Sequence, residues 1–167
     1  TLLGLSKLGT NYRGFLYAGL MIVKDEPYLI EYNVRMGDPE CQTILPKLQT
    51  NLTDILLACC DQTLDKIKIN WSDKKSICIV MCSKGYPDEF EKNIEIENLD
   101  NIKLDINENL FHAGTTKKDN KIYATGGRVL NFVSISDNFT AAKKNIIKNL
   151  DKLNWTGGFY RKDIGYK

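Results

Sequence analysis

Apolar residues run almost unbroken from Tyr17 to Val23, stop at Lys24-Asp25-Glu26-Pro27, and resume from Tyr28 to Val34. Turn chemistry between two apolar runs predicts a β-hairpin with a buried first strand. Strand side chains alternate faces with period two. Ile30, Tyr32 and Val34 therefore share one face of the second strand, and Glu31, Asn33 and Arg35 share the other. Gly37-Asp38-Pro39-Glu40 then predicts a tight turn into a helix running from Pro39 to Leu48. Asp38 suits its N-cap, Pro39 its first helical position and Glu40 its first turn. Pro46 breaks or restarts that helix near its end. Leu52, Ile55, Leu56 and Cys59 recur at helical spacing, which predicts a core-facing helix capped by Asn51 or Thr53. Upstream, Thr1 to Leu8 reads as the end of a helix stopped by Gly9, and Asn11 to Gly14 as a turn into the hairpin.

From Asp65 to Lys75 the chain turns polar, with Trp71 its one large apolar side chain, and a domain boundary is expected there, giving units 1–70 and 71–167. The second half is strand-rich. Ser76 to Cys82 is a short apolar run suited to a buried strand, closed by the turn signals of Ser83-Lys84-Gly85-Tyr86-Pro87. Asp88 to Asn109 is charged and carries no clear period. Leu110 to Ala113 reads as a brief strand, Thr115 to Thr125 as a hairpin with its tip at Lys118-Asp119-Asn120, and Val129 to Ile135 as a strand opened by Gly126-Gly127-Arg128. Asp137 or Asn138 then caps a helix whose apolar side is Ala141, Ala142, Ile146, Leu150 and Leu153. Gly157-Gly158 and the element FYRKDIG finish the chain.

Composition narrows the class. Hydrophobic residues make up 43% of 167 residues and charged ones 26%, as in an ordinary globular protein. With 23 basic and 21 acidic residues the formal net charge is only +2, so nothing argues for nonspecific nucleic-acid or membrane binding. No run approaches the roughly 18 apolar residues of a membrane helix. Cys78 and Cys82 lie four apart on the expected strand, about 13 Å at about 3.3 Å per residue, too far to share a zinc ion. Cys59 and Cys60 are adjacent and Cys41 stands apart, so the cysteines read as reduced, buried thiols of a cytosolic protein.

Two stretches carry candidate chemistry. A carboxylate, an amide and a guanidinium on one side of an apolar strand are costly to bury unless something polar meets them. Glu31 and Asn33 offer hard oxygens suited to Mg²⁺, and Arg35 offers a planar fork for phosphate or carboxylate. A helix N-terminus after Gly37 would add backbone N–H groups for an anion. The same pattern also fits a half-exposed edge strand whose polar face meets water. In Gly126-Gly127-Arg128, two permissive backbone units beside a guanidinium suit a phosphate grip, and equally a plain turn before a strand. His112 fits a hydrogen-bonded structural role as well as a base.

The stretch EYNVRMGDPE (Glu31–Glu40), preceded by YRGFLYAGLMI (Tyr12–Ile22), resembles the phosphoribosylamine–glycine ligase family of the ATP-grasp superfamily, as do YATGGRVL (Tyr123–Leu130), FHAGT (Phe111–Thr115) and FYRKDIG (Phe159–Gly165). The resemblance covers nearly the whole chain. It implies an α+β fold: the C-terminal part of an ATP-grasp domain, with antiparallel strands and helices, then a small β-rich C-terminal domain with one long helix. It also implies a fragment that begins at Thr1 without the N-terminal domain and first ATP-grasp lobe. The implied reaction joins glycine to 5-phosphoribosylamine with ATP, in the cytoplasm, with neither nucleic acid nor membrane as partner. Glu31 and Asn33 would hold Mg²⁺ or Mn²⁺. Arg35 would stabilise the transferred phosphoryl group, and Asp38 would orient the substrate amine or ribose, alongside its N-cap role. Arg128, with Gly126 and Gly127, would hold the substrate phosphate. Lys117 and Arg161 receive no role. Unlike many ATP-grasp enzymes, the strand LYAGLMIV carries no acid before Asp25, which implies more metal ligation by phosphate and water. A non-catalytic module that kept the fold, or a related ATP-grasp carboxylase or transformylase of purine synthesis, are the alternatives.

Overall fold

A computed structural model describes residues 1–165. The chain divides into two compact units, one formed by Thr1–Cys41 with Leu48–Ser72, the other by Gln42–Lys47 with the chain from Asp73 onward. Helices and antiparallel sheets are mixed in an α+β architecture. No helix among the described residues is long and apolar enough to cross a membrane.

The first unit opens with a short helix α1 (Leu2–Lys7), followed by Gly9 in a left-handed conformation at φ 77°. Its hairpin pairs β1 (Tyr17–Val23) with β2 (Glu26–Asn33). The connection is tighter than the sequence suggests. Lys24 and Asp25 alone turn the chain, both at positive φ (50° and 66°), and Glu26 and Pro27 already belong to β2. Positive φ at both central residues matches the twist of the flanking strands, which is why two residues suffice. The expected burial of the first strand is not found. Leu20, Met21, Ile22 and Val23 are 47–58% exposed, because a two-stranded hairpin has no second layer of its own to cover it.

The next helix is also shorter than expected. α2 runs only from Glu40 to Ile44 and continues as a 3-10 turn, Leu45–Lys47, where Pro46 cannot donate to a helical ladder. It begins after Pro39, so Asp38 lies in the preceding turn and not at the position adjoining the first helical residue. α3 (Leu52–Cys60) is capped by Asn51, whose side chain accepts from Thr53 N–H at 2.8 Å. Its expected core face is mostly open: only Ala58 is buried, and Leu56 and Leu57 are 41% and 57% exposed. Trp71 is likewise 45% exposed and bridges to Leu48.

The second unit holds the core. β3 (Lys75–Ser83) and β8 (Arg128–Ser136) are long antiparallel strands, flanked by β5 (Glu108–His112) and the two-residue β9 (Gly158–Phe159), in the order β5-β8-β3-β9. A second sheet takes β4 (Ile94–Glu95), β7 (Lys121–Ala124) and β6 (Thr115–Lys118). Its hairpin turns through Asp119 and Asn120 at φ 50° and 61°. The unpatterned stretch from Asp88 to Asn109 thus holds β4, a 3-10 turn at Leu99–Asn101 and the start of β5. α4 (Phe139–Leu150) is capped by Asn138, whose Oδ1 accepts from Ala141 N–H at 2.8 Å, and it buries Ala142, Ile146 and Leu150. These meet Ile77, Ile79 and Met81 of β3 and Leu130 and Phe132 of β8 in one core. Among the cysteines only Cys78 is buried, and Cys60 is exposed, which corrects the expectation of uniformly buried thiols. α3 leaves Cys60 facing outward because its apolar stripe is not covered within its unit.

Phe132 is 1% exposed at the centre of this core. Phe132→Ala should lower unfolding stability by about 3–5 kcal/mol, and Asn138→Ala by about 1 kcal/mol. Urea denaturation read by Trp155 fluorescence in a Trp71→Phe background checks both. Equal effects of the two substitutions would contradict the assignment of Phe132 to the core centre.

Candidate functional site

Two groups of sequence-predicted residues fall on separate units and are described separately. On the hairpin, Gly19 pairs with Glu31 across the ladder. A Cβ at Gly19 would stand 3.3 Å from Glu31 Cγ, so the glycine leaves room for the acidic side chain to lie over it. Gly19 pairs with Glu31 and Leu20 with Leu29, which leaves Ile30 as an extra residue in β2. Such a bulge twists the strand locally and re-aims the side chains beside it. Asn33 Nδ2 donates to Glu31 Oε1 at 2.9 Å, which brings the two expected metal ligands together. β2 ends at Asn33, however, so Arg35 is not placed by strand alternation. It sits in the bend that follows, with Nη1 donating to Met36 O at 3.0 Å.

One pair escaped sequence reasoning. Tyr17 pairs with Asn33 in the ladder, and its hydroxyl donates to Glu40 Oε1 at 3.0 Å. Gly37 makes this possible, since a side chain there would collide with the Glu40 carboxylate and come within 3.2 Å of the Tyr17 ring. The signal was the hairpin register, which puts Tyr17 opposite the last polar residue of β2. The hydrogen bond to Glu40 raises the Tyr17 phenol above its ordinary pKa, helped by burial and by the charges of Glu40 and Glu31. Glu31, Asn33, Tyr17 and Glu40 thus form one polar strip, and Arg35 and Asp38 lie in the chain between Asn33 and Glu40. α2 spans only five residues, so the helix dipole expected to favour an anion after Gly37 is weak.

Among the described residues no group of three or more His, Cys, Asp or Glu side chains converges as a metal cluster. A hard cation bound partly by phosphate and water needs only one or two protein oxygens. The Glu31 carboxylate and the Asn33 amide carbonyl are adjoining hard donors of that kind, so the residues fit Mg²⁺ or Mn²⁺.

In the second unit, Arg128 opens β8 opposite Cys82, with Val129 bulged because Met81 pairs with Leu130. Burial pushes the Cys82 thiol up, while the charge of Arg128, opposite it in the ladder, pulls it back. Of the two preceding glycines, Gly126 does not offer a free N–H for phosphate. Gly126 N–H donates to Gly114 O at 3.1 Å, and the Gly114 and Gly126 backbones approach so closely that a side chain on either would clash with the other. Gly127 lies against the Tyr86 ring. Their contribution is to shape the turn. His112 Nδ1 is 3.0 Å from Thr115 Oγ1, Lys117 pairs with Ile122 in the hairpin, and Arg161 grips Asp163 through two hydrogen bonds, Nε at 3.1 Å and Nη2 at 2.5 Å.

Residues 76–167 match the family model described as phosphoribosylglycinamide synthetase, C domain. Residues 1–41 match that described as phosphoribosylglycinamide synthetase, ATP-grasp (A) domain. The chain is similar to the phosphoribosylamine–glycine ligase of Caldanaerobacter subterraneus subsp. tengcongensis, with 42% identity over 96% of this chain and 38% of the relative. It is similar to that of Agrobacterium fabrum, 43% identical over 100% of this chain and 39% of the relative. It also resembles the trifunctional purine biosynthetic protein adenosine-3 of Gallus gallus, 42% identical over 100% of this chain and 17% of the relative. The crystal structure of phosphoribosylamine–glycine ligase from Thermotoga maritima superposes with a TM-score of 0.79 at 33% identity, covering 98% of this chain and 40% of that one. The chain spans about two fifths of the single-function relatives it matches.

The Tyr17–Glu40 bond gives a test by pH. The raised phenol pKa means that this bond's stabilisation is present below the ordinary tyrosine value and is lost as pH rises through the folded value. Glu40→Gln removes the charge, and the Tyr17 phenol should then titrate lower. Ultraviolet tyrosinate absorbance of the two proteins, with a Tyr17→Phe control, reads the shift. Identical curves would show that Glu40 does not hold this phenol.

Proposed function

Because the chain belongs to the phosphoribosylglycinamide synthetase family, we propose that it supplies the metal-binding strand and closing domain of an ATP-dependent ligase. The reaction joins glycine to 5-phosphoribosylamine, giving glycinamide ribonucleotide, ADP and phosphate in de novo purine biosynthesis. The observation that carries this reading is the pairing of Glu31 with Asn33 at 2.9 Å inside the segment that matches the ATP-grasp model. On this reading the reaction runs in the cytoplasm.

Chemically, the glycine carboxylate attacks the γ-phosphorus of ATP, ADP leaves, and the substrate amine then attacks the glycyl phosphate carbonyl and expels phosphate. The first step brings two anions together, so catalysis is chiefly charge neutralisation and alignment. Mg²⁺ or Mn²⁺ supplies charge neutralisation on triphosphate oxygens when bound. Glu31 and Asn33 would hold it through a carboxylate and an amide oxygen. Arg35, in the bend after β2, would present its guanidinium to the transferred phosphoryl group once its bond to the Met36 carbonyl is exchanged. Asp38, in the turn before α2, would accept hydrogen bonds from the substrate amine or ribose. Arg128 would grip the substrate phosphate, from a turn shaped by Gly126 and Gly127. The N-terminal part of the same enzyme would cradle the nucleotide.

Two outcomes follow. In the full-length enzyme, Glu31→Ala should lower glycine- and phosphoribosylamine-dependent ADP release on the order of a hundredfold. Part of the loss should return at raised Mg²⁺ concentration. Near-normal turnover would remove Glu31 as an essential ligand. The 167-residue chain alone should release no ADP above background in the same assay, and substantial turnover would overturn the division of labour between this chain and a nucleotide-cradling part.

A further inference from the structure

Ser83 closes β3 and is 2% exposed. Its backbone N–H donates to Gly127 O at 2.8 Å, and its Oγ donates to Gly126 O at 2.7 Å. One buried residue thus holds both carbonyls of the Gly126-Gly127 turn. The turn is also held from other directions. Gly114 N–H donates to Arg128 O at 3.0 Å, and Gly114 O accepts from Thr125 N–H and Gly126 N–H. The Tyr86 ring fills the space where a Gly127 side chain would project, and Tyr86 N–H donates back to Ser83 O at 3.0 Å.

Arg128 is the next residue, and its own strand is irregular there. Val129 is bulged out of the ladder with β3, so the side chain of Arg128 is aimed separately from those of Leu130 onward. Two successive glycines would leave that aim loose, since glycine has the widest backbone freedom of any residue. A guanidinium grips a phosphate through two parallel hydrogen bonds, and that fork tolerates little misplacement. Resting on the reading of Arg128 as the ligand of the substrate phosphate, we infer that Ser83 is a positioning residue. It locks the Gly126-Gly127 turn through two hydrogen bonds and so fixes where the Arg128 guanidinium emerges. Ser83 itself does not touch substrate.

Ser83→Ala keeps the backbone bond to Gly127 and removes only the Oγ bond to Gly126. In the full-length enzyme, with 5-phosphoribosylamine formed in situ from ribose 5-phosphate and ammonia, it should raise KM for that substrate roughly fivefold to tenfold. Its kcat and its KM values for ATP and glycine should stay within about twofold, because a loss of aim acts on one ligand only. Ser83→Thr, which keeps the hydroxyl, should recover most of the lost affinity. Tyr86→Ala relaxes the same turn from the Gly127 side and should give the same selective rise, which keeps the test decisive if Ser83→Ala folds poorly. Arg128→Ala separates the two layers of the argument. If it raises that KM while Ser83→Ala and Tyr86→Ala do not, the positioning role fails and the phosphate reading stands. If Arg128→Ala leaves that KM unchanged, the phosphate reading fails and takes the inference with it. An equal loss in every kinetic constant on Ser83→Ala would mark a merely structural serine and overturn the proposal.

Discussion

The register of β8 is the constraint on which the second unit depends. Leu130 pairs with Met81 on one side and His112 on the other, Phe132 with Ile79 and Leu110, and Ser134 with Ile77 and Glu108. Side chains directly opposite one another share a face, so Ile77, Ile79, Met81, Leu110, Leu130 and Phe132 form one apolar layer edged by Glu108, His112 and Ser134, and α4 packs on it through Ala142, Ile146 and Leu150. A slip of one residue would turn Phe132 out of that layer and bring Asn131 in. The register is therefore strongly specified, and so is the position of the residue that opens the strand. Hydrophobic packing thus fixes where β8 begins, while the bulge at Val129 leaves the direction of Arg128 to the turn before it.

The first unit is built on a different balance. Its hairpin carries Leu20, Met21, Ile22 and Val23 in a row, each about half exposed. Its helix α3 leaves Leu56 and Leu57 open as well. Apolar strands and helices acquire stability by being one layer of a larger packing, and this chain spans about two fifths of its single-function relatives. What the hairpin does fix by itself is local. Gly19 opposite Glu31, the bulge at Ile30 and the Tyr17–Glu40 bond set the polar strip without help from a core.

Much of this was legible in the sequence, for identifiable reasons. β3 and β8 were readable because each is a long apolar run bounded by strong turn residues, and α4 because its buried positions recur at helical spacing after an asparagine cap. Glu31 and Asn33 were readable as neighbours because two residues on a strand return to the same face. The rest was hidden by effects that one-dimensional pattern does not carry. Continuous apolarity in β1 signals burial only when a second layer exists. Alternation past Asn33 fails because the strand stops there, which moves Arg35 into a bend. The glycines of the Gly126 turn looked like exposed donors, whereas Gly114, distant in sequence, takes up the Gly126 N–H and fills the space beside it. Short elements such as β4 are set by pairing with β7 and leave almost no trace in composition.

The two sets of functional candidates differ in how their side chains are held, and that difference has chemical meaning. Asn33 to Glu31 and Arg35 to Met36 are exposed hydrogen bonds, worth about 1 kcal/mol net because water competes for both partners. Redirecting such side chains toward an ion or a phosphoryl group costs little, which suits groups that must follow charge as it moves during a reaction. The bonds of Ser83 to Gly126 and Gly127 come from a residue shielded from water, where an unmade partner carries the full desolvation cost. In the proposed reaction the substrate phosphate would not change charge while a distant amine is acylated, so a group holding it would gain nothing from mobility. On the proposed reading of Arg128 as the phosphate ligand, weakly held side chains on the hairpin and a firmly held turn before β8 are the arrangement that a ligation of two anions favours.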